Sequence, residues 1–273
     1  MNSTAPKVRS RVIVAVGPAA PDSPALTAAA QLARSGGAEL AALFVEDINL
    51  LRLAELPFAL EIGTSSATVR RLVASDVERA LKRQAAELRR TLAEMALVVQ
   101  LDWTFGMARG RPVRVLLEAA SEGDLVVLAS GVVRTFAHAE LASAMRSALN
   151  AILPGTNPRR ARSVAAALQP GPNALRVLAA AQQLTQASAA ELVLFLAGAQ
   201  DAEFFAMVDA WLGERGITAR VTSLPDLVPA QIAKLVADED LNALFWAGDG
   251  VQEMAPEVEA LLDAISCPLI VVR

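Results

Sequence analysis

The chain has little of what most active-site chemistry requires. Its 273 residues include one cysteine, Cys267, and one histidine, His138; tyrosine is absent and aromatic residues make up 4%. A single cysteine excludes an internal disulfide and any metal site built on several thiolates. His138 has no visible base or metal partner in the sequence, so a histidine-centred acid–base site is not legible. Long apolar runs are also missing. The apolar runs are short, such as Val12 to Val16 and Leu125 to Leu128, and fall far short of the roughly 20 residues a membrane-spanning helix needs. Positive charge is not in excess: 25 Lys and Arg stand against 29 Asp and Glu, a net charge of −4. That balance excludes an extensive nucleic-acid surface. The local group Arg159, Arg160 and Arg162 reads as a solvated linker. Met1 to Arg11 carries Lys7, Arg9 and Arg11 with no signal-type apolar block behind them, so no export signal is expected. With the lone thiol, this points to the cytoplasm.

Aliphatic residues and alanine fill the space the other residue types leave. Hydrophobic residues reach 54% and the mean hydropathy is +0.40. In the absence of a membrane span, such values fit short strands buried on both faces beneath Ala-rich helices.

The chain also repeats itself. PVRVLLEAASEGDLVVLASG (112–131) aligns without a gap on PAQIAKLVADEDLNALFWAG (229–248). In each, Pro opens an apolar-faced helix, and an acidic turn, an apolar strand and a glycine follow. AAAQLARSGGAELAALFV (28–45) matches AAAQQLTQASAAELVLFL (179–196) with one insertion. Two matches in the same order imply two copies of one strand–helix unit. Pro154-Gly155-Thr156-Asn157-Pro158 is the natural boundary, which gives domains 1–157 and 158–273.

In the first copy the pattern predicts strands at Arg11–Val16, Glu39–Val45, Val98–Trp103 and Asp124–Ala129. Helices are expected at Ser23–Ser35, at about Ser66–Ala96, at Pro112–Ser121 and at Glu140–Leu153. In the second copy, strands are expected at Ser163–Leu168, Glu191–Leu196, Ile217–Ser223, Asn242–Trp246 and Pro268–Val272. Helices are expected at Asn173–Ala187, Asp201–Arg215, Pro229–Ala237 and Pro256–Ile265. Such alternation predicts an α/β fold with parallel strands and helices on both faces. After its last helix the first copy runs directly into the second, so its closing strand is missing. A four-stranded sheet with an open edge follows, to be covered by the second copy or by another subunit.

The opening RVIVAVGPAAPDSPALTAAAQLARSGGAELAALFVED, the segment GRPVRVLLEAASEGDLVVLASG and the ending SCPLIVVR together resemble universal stress proteins. The resemblance spans nearly the whole chain and is strongest in the first copy. It implies two tandem Rossmann-like domains of the adenine-nucleotide alpha hydrolase type, each a parallel sheet flanked by helices. It further implies a stress-response protein without turnover that binds a small ligand or a protein partner, most simply as a homodimer. Family members often dimerise through the closing strand, which makes Pro268 to Arg273 a candidate contact. Many bind ATP at the carboxyl ends of the strands, where glycines admit backbone N–H groups to phosphate oxygens.

Here that pattern is degenerate. Gly17 stands where an acidic residue follows the first strand, Gly131 alone remains of the first two loop glycines, and Ser143 has lost its preceding glycine. The second copy keeps only Gly248-Asp249-Gly250, and its terminal pair falls on Ala255-Pro256. Gly17, Val45, Gly131 and Ser143 therefore outline a vestigial pocket. No cofactor is expected, and an ATP- or AMP-binding switch in the first copy is the alternative.

Of the remaining chemistry-bearing residues, His138 is either a ligand contact or an exposed loop histidine. A Ser–His–acid site would need Ser130 or Ser143 with an orienting acid, and no such spacing occurs, so no catalytic residue is assigned. Arg109 and Arg111, flanking Gly110, either hold an anion or lie in a solvated turn. Glu46-Asp47 lacks a second acidic cluster to complete a cation site. Cys267, Trp211 and Trp246 read as core. The segment VEDINLLRLAELPFALEIG (45–63) is too apolar for a solvated loop, and is either a flap or dimer surface or a short helix packed on its own domain.

Overall fold

The computed structural model describes residues 10–16, 23–62, 68–129, 163–198, 201–248 and 255–273. The first part of the chain supplies β1 (Arg11–Val16), α1 (Ser23–Gly36), β2 (Glu39–Asp47), α2 (Ile48–Glu55), β3 (Leu60–Ile62) and β4 (Val69–Arg71). It continues with α3 (Ala74–Val99), β5 (Trp103–Gly110), α4 (Pro112–Ala119) and β6 (Leu125–Leu128). The second part supplies β7 (Ser163–Leu168), α5 (Ala174–Ser188), β8 (Glu191–Ala197), α6 (Ala202–Arg215) and β9 (Ala219–Leu224). α7 (Pro229–Ala237), β10 (Leu241–Ala247), α8 (Ala255–Ala264) and β11 (Leu269–Val272) complete it.

Nine strands form one sheet in the order β5-β2-β1-β6-β11-β10-β7-β8-β9. Each half repeats one arrangement, third, second, first, fourth, and all neighbours pair in parallel except β6 and β11. β11 is the hinge of the architecture. It runs parallel to β10, with Leu244 opposite Leu269, and antiparallel to β6, with Ile270 opposite Val127. The open edge of the first four strands is thus covered by the last strand of the same chain. This corrects the expectation that Pro268 to Arg273 meets a second subunit. β11 is hydrogen-bonded on both sides and Leu269 to Val271 are 0% exposed, so it offers no free edge.

The strands are apolar on both faces because both faces are covered. Val12, Val14 and Val16 of β1, Val164, Ala166 and Leu168 of β7, and Ile270 and Val272 of β11 pack with α1, α3, α5 and α6 on one face. Ile13, Ala165, Leu269 and Val271 pack with α4, α7 and α8 on the other. Across the middle of the first face α1 lies against α5, where Gln183 donates to Leu32 O (3.2 Å) and Ser35 Oγ (3.0 Å). At the far edge Arg220 of β9 donates to both carboxylate oxygens of Glu239 (2.5 and 2.7 Å). These hydrogen bonds hold the Glu239 carboxyl below its ordinary pKa.

Three local readings change. The helix expected from Ser66 begins at Ala74, because Val69–Arg71 pairs antiparallel with Leu60–Ile62 as a separate hairpin. It runs on to Val99 and ends at Gln100 in the left-handed conformation (φ 52°), so the strand expected from Val98 starts at Trp103. Trp211 and Trp246 are partly buried at the core's margin, with the Arg215 guanidinium 4.3 Å from the Trp211 ring. Cys267 is core, at 3% exposure. The helix expected at Glu140–Leu153, the arginine group 159–162 and the boundary 154–158 lie outside the described residues.

Candidate functional site

In an open α/β sheet, ligands bind beyond the carboxyl ends of the strands, where the strand order reverses. In the first half that point lies between β1 and β6, since β1 is followed through α1 by β2 on its other side. Gly17, Gly131, Ser143, Ser130 and His138 all belong to the segments that follow β1 and β6 and lie outside the described residues. Val45 is described. It sits in the β2–β5 ladder opposite Ala108, and its side chain is packed at 1% exposure.

Beside it, the last turns of β2 and β5 bring Glu46 and Arg109 into register. Glu46 is 9% exposed, and Arg109 meets one of its oxygens, Oε2, from both Nε (3.0 Å) and Nη2 (2.9 Å). Glu78 of α3 lies 3.9 Å from the same Nη2. A half-exposed arginine held by two carboxylates is committed to joining β2, β5 and α3. Of the two readings open for it, neither a free anion holder nor a solvated turn describes Arg109, which lies within β5. Arg111 is exposed as the N-terminal cap of α4. Among the described residues, no group of three His, Cys, Asp or Glu is placed to hold a metal ion.

The matching point of the second half lies between β7 and β10. Gly248 follows β10 and donates its N–H to Val272 O (2.8 Å). A Cβ at that position would stand 2.6 Å from Val271 Cγ1 and 3.0 Å from Val272 O. The glycine that the sequence pattern placed in a phosphate loop thus serves close approach to β11. Gly248→Ala is expected to cost about 1–3 kcal/mol by overpacking, checked by urea denaturation. Around the end of β11, Arg273 donates from Nη1 to Leu117 O (2.7 Å) and Ala120 O (2.6 Å), closing the carboxyl end of α4. Arg176 donates to Arg273 O and to Asn173 Oδ1.

One surface stands out. α2 docks Leu51 and Ala54 inward, yet Leu53, Leu56, Phe58 (75% exposed), Leu60 (62%), Val69 and Val73 face solvent. Within the segment 45–63, α2 packs on its own body through Leu51 and Ala54, while Leu53, Leu56, Phe58 and Leu60 remain exposed. Sequence reasoning missed Arg109–Glu46 and the ion pair of Arg11 with Asp124 (2.5 Å). The acidic residue before β6 was the only signal, and its partner lies more than a hundred residues away.

The arrangement defines a doubly wound α/β protein in which two parallel sets of strands share one sheet. No family model and no curated protein matches the chain. Solved structures do. A universal stress protein from Archaeoglobus fulgidus DSM 4304 superposes with a TM-score of 0.56 at 12% identity, over 96% of each chain. A putative universal stress protein from Pseudomonas aeruginosa UCBPP-PA14 matches with a TM-score of 0.48 at 13% identity, over 97% of this chain and 93% of that one. The cytoplasmic domain of a prokaryotic cation chloride cotransporter matches with a TM-score of 0.43 at 13% identity, over 96% and 95%. The first of these fixes the fold as that of a universal stress protein, as the sequence motifs implied. Among the described residues, no helix is long and apolar enough to cross a membrane.

Proposed function

We propose that the chain is a non-catalytic regulatory module of universal-stress-protein fold, working in the cytoplasm by holding a partner, with a degenerate nucleotide pocket. It comprises two copies, 1–157 and 158–273, that share β11 as a common closing strand. The observation that carries this reading is the concentration of exposed apolar side chains on α2 and the β3–β4 hairpin among the described residues, since grouped exposed apolar surface marks interaction sites. Two further features support it. The charged groups described at the carboxyl ends of β2 and β5 are bound to one another, and Gly248 packs against β11.

Calorimetric titration with ATP and with AMP, Mg²⁺ present, tests the pocket. No heat and no phosphate release are expected. Micromolar binding confined to amides near Val45 would instead favour a nucleotide switch in the first copy, and steady phosphate release would refute the non-catalytic reading.

A further inference from the structure

We propose that the outward face of α3 is a docking surface for an acidic helix of a partner protein. Turned inward, α3 buries Leu81, Ala85, Leu88 and Leu92 in the core. Turned outward, it carries Lys82, Arg83, Arg89 and Arg90, all exposed. Elsewhere Arg11, Arg109, Arg114 and Arg220 each hold a carboxylate. On α3 itself Arg79 holds Asp76, and Glu78 lies beside Arg109. Lys82, Arg83, Arg89 and Arg90 form no ion pair with any described residue.

Spacing gives this face its pattern. Successive residues turn by about 100°, so Arg83, Arg90 and Leu97, seven apart, lie along one line. Ala86 and Ala93 lie just beside it. From Arg83 to Leu97 the steps alternate three and four residues, the stripe along which a second helix packs. Its far end is apolar, since Leu97, at 82%, is the most exposed large hydrophobic residue among those described. Ala86 is exposed in the middle, where a small side chain lets a partner backbone come close.

The charges decide the occupant. Lys82 and Arg89 flank the line on one side, and Glu87 and Glu94 on the other. A phosphate backbone or an anionic bilayer would press negative charge on both flanks, and the two glutamates oppose that. A second α3 fits no better, because antiparallel crossing about a twofold axis at Arg90 sets Arg90 against its own copy. An acidic helix meets Arg83 and Arg90 with carboxylates one heptad apart and covers Leu97 with an apolar residue. A basic residue on its flank then meets Glu87 or Glu94.

The inference adds a second surface to the partner-holding reading and fails separately from it. Steady phosphate release removes that reading without touching α3, and loss of helix binding removes the α3 surface alone.

The probe is a labelled helical peptide of about 18 residues, with two glutamates one heptad apart and a leucine a heptad beyond, made in both sequence directions. Fluorescence anisotropy with the full chain should show one direction binding, more weakly as salt rises. Arg83→Glu with Arg90→Glu should weaken it about tenfold, and lysines in place of the peptide's glutamates should restore binding to that variant. Leu97→Ser should also cost about tenfold, the worth of covering one leucine. These side chains are exposed in the unbound chain, so circular dichroism should not change. Binding by neither peptide overturns the proposal, as does equal binding of a peptide whose glutamates are spread around its helix. Tighter binding of phosphatidylserine vesicles or of a single-stranded oligonucleotide, lost in the same variants, would assign the face to lipid or nucleic acid and overturn it too.

Discussion

Ile270→Ala should destabilise the protein by about 3–4 kcal/mol, and both halves of the sheet should melt in the same transition. Ile270 is 0% exposed in the middle of β11, where truncation forfeits its transfer energy and leaves a cavity that rigid neighbours do not refill. The distinctive part is the coupling. Ile270 stands between Phe245 of β10 and Val127 of β6, so each half of the sheet depends on the same strand for its inner edge. Trp103 lies in β5 of the first half and Trp246 in β10 of the second. Urea denaturation of variants that each retain a single tryptophan, Trp103 or Trp246, with Trp211 replaced in both, therefore reads the halves separately, and coincident curves are the signature of one cooperative unit. A variant that shifts the Trp246 curve and leaves Trp103 in place would show two independent domains in contact. Val221→Ala, on the half-exposed edge strand β9, serves as the control and should cost less than about 0.5 kcal/mol.

The strand that matters most in this experiment was visible in the sequence, but its position was not. Leu-Ile-Val-Val after Cys267-Pro268 reads plainly as a buried strand, and β7 was bounded to the residue because Pro and Gly close its apolar run. Local pattern carries no information on which edge a terminal strand joins, and β11 joined two. The start of α3 was misplaced for the opposite reason. Leu72, Val73 and Val77 fit a helical period, while pairing of Val69–Arg71 with Leu60–Ile62 competes with that period and wins. At its far end, β-branched Val98 and Val99 suggested a strand, yet the helix carries through to Val99. Of the pocket, Val45 alone is described. The apolar excess of 45–63 was legible as a departure from solvated loop, whereas the division of its leucines between core and solvent depends on how α2 docks. Long-range polar contacts such as Arg109 with Glu46 left no trace that spacing alone would reveal.

The ion pair of Arg11 with Asp124 shows how much such a contact can carry, and Asp124→Ala should cost about 3 kcal/mol. Asp124 is 2% exposed and accepts four hydrogen bonds. They come from the backbone N–H of Arg11 (3.1 Å) and of Ser121 (2.9 Å), and from Arg11 Nη2 (2.5 Å) and Nε (3.4 Å). Its removal orphans two backbone donors beneath β1 and β6, each carrying a desolvation penalty of about 1–3 kcal/mol. The guanidinium suffers less, because the Arg11 side chain is 35% exposed and water can replace the carboxylate. Arg11→Met should therefore be the milder change, and Asp124→Asn, which keeps an acceptor for the Arg11 N–H, should fall between. The hydrogen bond to Asp124 raises the Arg11 pKa above its already high ordinary value. Stability from a raised pKa is complete below the unfolded value and is lost only as pH climbs through the folded one, so Arg11 contributes no pH dependence across the neutral range. Denaturant midpoints for the three variants, taken at neutral pH, check the ranking. Equal losses for Asp124→Ala and Arg11→Met would place the energy in the ion pair rather than in the two backbone donors.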